Sequence, residues 1–332
     1  MRRFILGLAA SLALAGPAAA ASVGPYTSFI ALGDSLTDPG RGLAMSPLPG
    51  NFPYVGGRFS NGPVWAEIVA EAFAAEGRPS LNLAIGGATA AGPAGAGPTP
   101  LSTLAGQIGA FDGAIAGGLP AGDDPLVAVW FGANDIFQAV NRAVAAGGAD
   151  FAPVFAAAAN AASLVGAGAR EVARLTGADE FALFNLPDLG AVPLFRGTPL
   201  SGLASSVTAA FNAAIAAEAA ALRREGLGTI EIDFDALFTA ARADPGAFGF
   251  TNVTDACILN ALACAASPGG ADDYLFVDLV HPNRVAHAAL AELVFAGIEA
   301  ASAPAPIPLP ATAPLALLGL AGIGLVARRR AA

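Results

Sequence analysis

The chain has 332 residues, 16 of them basic and 26 acidic, with two cysteines and two histidines. Every basic residue is Arg, and without a lysine ammonium a Walker-type phosphate loop, a Schiff-base lysine and a kinase-type ATP site are excluded. Five of the basic residues sit in the two end segments and all the acidic ones lie between, leaving 11 against 26, a net charge of −15 that argues against a nucleic-acid partner.

In chain order, Arg2-Arg3 precede an apolar stretch, Phe4–Leu14, then Gly16-Pro17 and the small-residue run Ala18–Ala21. This is the layout of a secretory signal with an A-x-A cleavage site, so residues 1–21 are expected to be removed on export. The apolar stretch is short for an uncleaved membrane anchor.

Residues 22–302 are expected to form one α/β domain. Short apolar runs bounded by Gly, Pro, Asn or Asp predict strands at Ser28–Leu32, Leu81–Ile85, Leu126–Phe131, Phe181–Asn185 and Thr229–Phe234. Being apolar almost throughout, they read as a parallel sheet covered on both faces. Helical spacing predicts a helix capped by Asn61 and running through Trp65, Ile68, Val69 and Phe73, with others over Phe151–Leu175, Leu203–Arg224 and Pro282–Ala300. The alternation predicts a three-layer α/β/α sandwich that binds ligands at the carboxyl ends of its strands. Residues 39–60 and 91–100 are Pro- and Gly-rich loops, either lining a substrate or merely connecting.

The first strand ends in "GDSLTD", where Gly33 permits a tight turn and Ser35 can present its hydroxyl. Ser35 or Asp34 capping a helical turn explains these residues equally well. The second strand runs into "GGATA", offering the Gly87 amide, and the third into "GAND", offering the Asn134 side chain; both are also ordinary turn and cap chemistry. A serine nucleophile needs a base, usually His, and only His281 and His287 exist. His281 follows Asp278 by three residues in "DLVHP", a spacing that lets a carboxylate face the imidazole. His287 reads as an ordinary helical histidine.

Cys257 and Cys264 are close in a chain expected outside the cytoplasm, so a local disulfide is expected. A zinc site is the poorer alternative, because the two histidines do not complete a ligand set. At the far end, residues 303–332 join a Pro-rich spacer, an apolar segment over Ala311–Ala327 and the cluster Arg328-Arg329-Arg330. The Arg cluster is expected to stay cytoplasmic, with the main domain on the other side. The run Ile307-Pro308-Leu309-Pro310-Ala311, with the apolar segment and Arg cluster after it, resembles the PEP-CTERM class of bacterial sorting signals in its V-P-L-P-A variant. That resemblance implies transient membrane anchoring and a sorting peptidase as partner; a plain membrane anchor is the alternative.

The four blocks "GDSLTD", "GGATA", "GAND" and "DLVHP", in that order between about Phe29 and Val294, resemble the SGNH/GDSL hydrolase family. "GGRFSNGPVW" and the Cys pair are similar to its lipase and haemolysin-like branch. The resemblance implies a three-layer, flavodoxin-like sandwich with a five-stranded parallel sheet and a hydrolase without metal or cofactor. Carried onto this chain, Ser35 is the nucleophile, His281 the base and Asp278 its orienting carboxylate. The oxyanion donors are the Ser35 and Gly87 amides and the Asn134 side chain. The function expected is an exported serine esterase or lipase acting on lipid, small acyl or acetylated-glycan esters. The rivals are an O-acetyl-polysaccharide deacetylase and a noncatalytic surface protein on the same fold.

Overall fold

The computed structural model describes residues 22–44, 52–92 and 99–303. The signal-like N-terminus, the C-terminal tail and parts of both Gly/Pro-rich loops lie outside the described residues.

Five parallel strands form the central sheet: β1 (Ser28–Gly33), β2 (Ser80–Asn82), β3 (Pro125–Trp130), β4 (Glu180–Phe184) and β5 (Gly228–Ile232). Their order is β2-β1-β3-β4-β5. The strands fall on the apolar runs read from sequence, and β1 and β3 are buried at every position, as strands covered on both faces are. Register puts Phe29, Trp130, Phe184 and Ile232 on one face and Ile30, Val127, Phe181 and Leu183 on the other.

Around the sheet run α1 (Arg41–Ala44), α2 (Trp65–Ala75), α3 (Leu104–Ala116), α4 (Ala133–Ala145), α5 (Ala152–Thr176), α6 (Ser201–Arg224), α7 (Phe234–Ala243), α8 (Ala261–Ala266) and α9 (Arg284–Ser302). On the Phe29 face, Trp65 of α2 and Phe234 of α7 pack on the strand aromatics. Trp65 and Phe184 lie 4.6 Å apart and Trp130 and Phe184 4.8 Å apart, a cluster worth more than its area alone. Helix α9 closes the same face, its Gly297 set against Ile230 and Ile232. The other face carries α3, α4, α5 and α6, which pack on one another.

The predicted strand Leu81–Ile85 is regular only to Asn82, although Leu83 and Ile85 still donate to Ala31 and Gly33 of β1. The predicted strand through Phe234 stops at Ile232, because the Asp233 carboxylate accepts from the Ala236 amide and starts α7. Asn61 does not cap α2. That helix begins after Val64, whose amide donates to Glu67. The Asn61 side-chain oxygen instead accepts from the Arg284 amide at the start of α9, some 220 residues away in sequence, beside Asn283, whose side chain accepts from the Ala286 amide. Helices α3, α4 and α7 escaped the sequence reading, as did a small parallel pair, β6 (Asn252–Ala256) and β7 (Tyr274–Phe276). β6 is polar, and β7, though apolar and buried, is only three residues long.

Candidate active site

Three neighbouring strands, β2, β1 and β3, end beside one another, and the turns after them supply most of the site. Gly33 closes β1, where an added Cβ would stand 2.7 Å from the Thr37 hydroxyl. Both polar atoms of the Gly33 backbone are held by the amide of Gln107, which accepts from Gly33 N–H and donates to Gly33 C=O, each at 2.8 Å. Gln107 is fully buried on α3 and acts as a side-chain surrogate for a strand partner, fixing the backbone one step before Asp34 and Ser35.

Ser35 follows in a turn held by Asp34, whose carboxylate accepts from the Leu36 amide at 3.1 Å. The Ser35 hydroxyl lies 2.7 Å from His281 Nε2, and His281 Nδ1 lies 2.6 Å from Asp278 Oδ2. The 246 residues between serine and histidine are bridged through β7. Val277 donates to His281 C=O and Asn283 to Leu275 C=O, so residues 277–281 form a tight loop after β7. Within it, Asp278 Oδ1 accepts from the Val280 and His281 amides at 2.9 and 2.8 Å. The D-x-x-H spacing therefore builds its own Asx turn and fixes the carboxylate against the imidazole.

Burial opposes charge on both groups, but each answers the other. His281 and the amide donors hold the Asp278 carboxyl down at about 2 despite its burial. Burial disfavours an imidazolium at His281, yet the Asp278 carboxylate outweighs it and keeps the ring above its ordinary range. His287 is buried on α9, with Nδ1 accepting from the Trp65 amide at 3.4 Å. Burial, and then the nearby His281, push it down to about 3. It is a packed neutral histidine away from Ser35.

Of the three donors named from sequence, two amides are without a partner among the described residues and the Asn134 side chain is engaged. Ser35 N–H and Gly87 N–H make no hydrogen bond among the described residues. The preceding Gly86 N–H is committed to Asp38 Oδ2 at 2.8 Å, so Gly87, at φ +81°, is the amide left available. The Asn134 amide faces the same cavity, but it already donates to Ala88 C=O at 3.0 Å and to Asp34 Oδ2 at 3.2 Å. Burial pushes the Asp34 carboxyl up to about 7, with its amide donors pulling the other way.

Two further contacts come from the described part of the loop predicted over 39–60. Tyr54 Oη donates to Asp278 Oδ2 at 2.7 Å, and the Phe59 ring lies 4.9 Å from the His281 ring. Burial and the adjacent carboxylate push the Tyr54 hydroxyl upward, so it remains a donor. Tyr54 had no signal beyond the loop's composition, Phe59 stands in the quoted stretch "GGRFSNGPVW", and a lone Gln in the apolar pattern of "LAGQIGAF" marks Gln107.

Ser35 and His281 open into a cavity of about 530 Å³, walled by Leu36, Phe137, Leu189, Leu194, Leu279 and Val280 among others. Beside the site, Cys257 and Cys264 are disulfide-bonded across seven residues. Among the described residues no group of three or more His, Cys, Asp or Glu could hold a metal ion.

A family model described as GDSL-like Lipase/Acylhydrolase matches residues 29–294. The chain is 31% identical over 314 aligned residues to a phosphatidylcholine-sterol acyltransferase of Aeromonas hydrophila, covering 80% of this chain and 88% of that protein. It is 29% identical over 287 aligned residues to a thermolabile hemolysin of Vibrio parahaemolyticus, covering 79% of this chain but only 62% of that protein's length. Among solved structures, a lipase from a goat rumen metagenome aligns with a TM-score of 0.47 at 18% identity, over 81% of this chain and 96% of its own.

Proposed function

Because the chain belongs to the GDSL-like lipase/acylhydrolase family, a family of ester-hydrolysing enzymes, we propose that it cleaves carboxylic esters through an acyl-enzyme on Ser35. The observation that carries this reading is the unbroken chain from Ser35 Oγ to His281 Nε2 and from His281 Nδ1 to Asp278, opening on an apolar cavity.

Ser35 Oγ attacks the ester carbonyl carbon while His281 Nε2 takes its proton, and Asp278 stabilises the imidazolium that forms. The carbonyl oxygen becomes an oxyanion facing the Ser35 and Gly87 amides. Asn134 joins them by exchanging its longer contact, to Asp34, for the oxyanion. His281 then gives its proton to the departing alkoxide, and the same histidine deprotonates the water that releases the acid. Each well-aimed donor commonly contributes about 2.7–4 kcal/mol to such a transition state.

The cavity wall favours acyl chains longer than acetyl, since an acetyl methyl would leave most of its apolar surface uncovered. This weighs against the acetylated-glycan reading. Export is part of the proposal, supported by the signal-like residues 1–21 and by the Cys257–Cys264 bond, which an oxidising compartment preserves. Membrane anchoring and cleavage of the tail belong to the proposal on the pattern of residues 303–332 alone.

Hydrolysis of p-nitrophenyl acetate, butyrate, octanoate and longer esters by wild type and Ser35→Ala tests the reading. Turnover should fall by about 10⁴-fold or more in the variant and be greater on octanoate than on acetate. Equal rates in both chains, or no turnover on any ester, would overturn it.

A further inference from the structure

The large apolar side chains that the described residues leave exposed are unevenly placed. Of eight, Val144 and Phe155 lie on α4 and α5, whereas Phe52, Val55, Leu194, Ile258, Leu259 and Leu262 lie on three segments tied to residues 277–279, beside His281. Tyr54, between Phe52 and Val55, donates to Asp278. Leu194 N–H donates to Leu279 C=O at 2.9 Å, and Ile258 N–H to Val277 C=O at 3.0 Å. Leu194 also belongs to the cavity wall, so one member of this set borders the space in front of Ser35.

The outermost of these side chains sit on a finger closed by the Cys257–Cys264 bond. Leu259 is 69% exposed and Leu262 90%, whereas the two cysteines beneath them are fully buried with Ala271 and Tyr274 in a small core of their own. Leu259 lies in the short 3-10 segment Cys257–Asn260 and Leu262 in α8, which follows it directly, so both project from the loop that the disulfide closes. Two leucines held out into water on a cross-linked base are a contact surface seeking an apolar phase.

The charges around them select its kind. Arg196 is paired with Asp255, Arg58 with Glu67, and Arg284 with Asp272, while the domain as a whole is strongly acidic. No unpaired basic cluster is available for anionic headgroups among the described residues of this rim, and the net charge repels them.

We propose that this rim docks on a zwitterionic phospholipid surface, Leu259 and Leu262 entering the acyl layer and the cavity mouth facing the lipid. An acyl chain then passes from bilayer to cavity along apolar side chains. The inference rests on reading the cavity as an ester site, and it adds how the substrate is presented.

Both native tryptophans, Trp65 and Trp130, are fully buried, so a tryptophan placed on the finger is the exposed one. In a full-length Ser35→Ala background, vesicles of brominated phosphatidylcholine should quench Leu262→Trp strongly. They should leave Phe155→Trp, at an exposed site on α5, nearly unchanged. The C-terminal tail is common to both chains and cannot produce the difference. In the active full chain, Leu259→Gln with Leu262→Gln should slow hydrolysis of vesicle phosphatidylcholine about tenfold or more, the expected loss from withdrawing two leucines from lipid. Soluble p-nitrophenyl butyrate should be hydrolysed as before.

Equal quenching at positions 262 and 155, or none at 262, overturns the proposal, as does quenching that requires anionic lipid. A dimer in solution that the double glutamine variant dissolves would assign the finger to a second copy of the chain and also overturn it. Quenching at 262, with the wild-type chain hydrolysing no ester, would leave the docking surface standing and remove the catalytic reading instead.

Discussion

At the scale of single residues, the least expected participant is Tyr54. Its hydroxyl shares Asp278 Oδ2 with His281, so it draws off part of the charge that would otherwise act on the imidazole. Removing it in Tyr54→Phe leaves more negative charge for His281, whose protonation is already favoured above the ordinary range. A base that must be neutral loses activity as pH falls through its pKa. The acid limb of kcat/KM should therefore lie above about pH 6.5 in wild type and move further up in Tyr54→Phe, with the high-pH plateau falling less than about tenfold. Because Tyr54 does not line the cavity, KM should hardly change. A pH–rate profile with an unmoved limb would remove Tyr54 from the relay.

At the scale of elements, Asp38 has the most consequence. Its two carboxylate oxygens accept from the amides of Gly40, Arg41 and Gly42 at the start of α1, and from Gly86 in the turn after β2. One buried side chain thus joins the loop after β1 to the turn after β2. By occupying Gly86 N–H it leaves Gly87 N–H facing the cavity. Asp38→Asn should keep part of this bracket and Asp38→Ala lose it, with kcat on a soluble ester falling in that order, by up to about 10²-fold for alanine, and KM changing less. If kcat survives Asp38→Ala in a chain that still melts cooperatively, the turn is held by other means.

At the scale of the whole molecule, the buried carboxyls make opposite demands on pH. Glu180 opens β4, away from the site, and burial followed by repulsion from Asp179 and Asp124 pushes its carboxyl up to about 7. Asp34 at the site end is also raised to about 7 by burial. A carboxyl raised on folding stabilises most below its unfolded value and loses that contribution as pH rises through 7. Asp278, lowered to about 2, stabilises above its unfolded value and loses its contribution as pH falls through 2. Thermal stability should therefore peak between about pH 4 and 6 and decline toward pH 8, even as kcat/KM is still rising. Melting temperatures across that range check it, and Glu180→Gln should flatten the alkaline decline.

Local residue patterns were enough to specify the layer order and the chemical inventory. Continuous apolar strands predict a sheet covered on both faces. Two histidines leave a short list of bases, and D-x-x-H builds its turn from neighbours three residues apart. Strands β6 and β7 lay beyond such patterns, because β6 is polar, β7 is only three residues long, and the two pair across an intervening segment. So did the destination of Asn61, which local spacing assigns to α2 and the fold delivers to α9. Which glycine amide stays free was settled in three dimensions, because Asp38 reaches Gly86 across 48 residues. The folded chain likewise set Gln107 on Gly33, Tyr54 on Asp278, and Ile258 at the base of the disulfide finger on Val277. Each of these depends on contacts between segments far apart in the chain, which no local pattern of residues encodes.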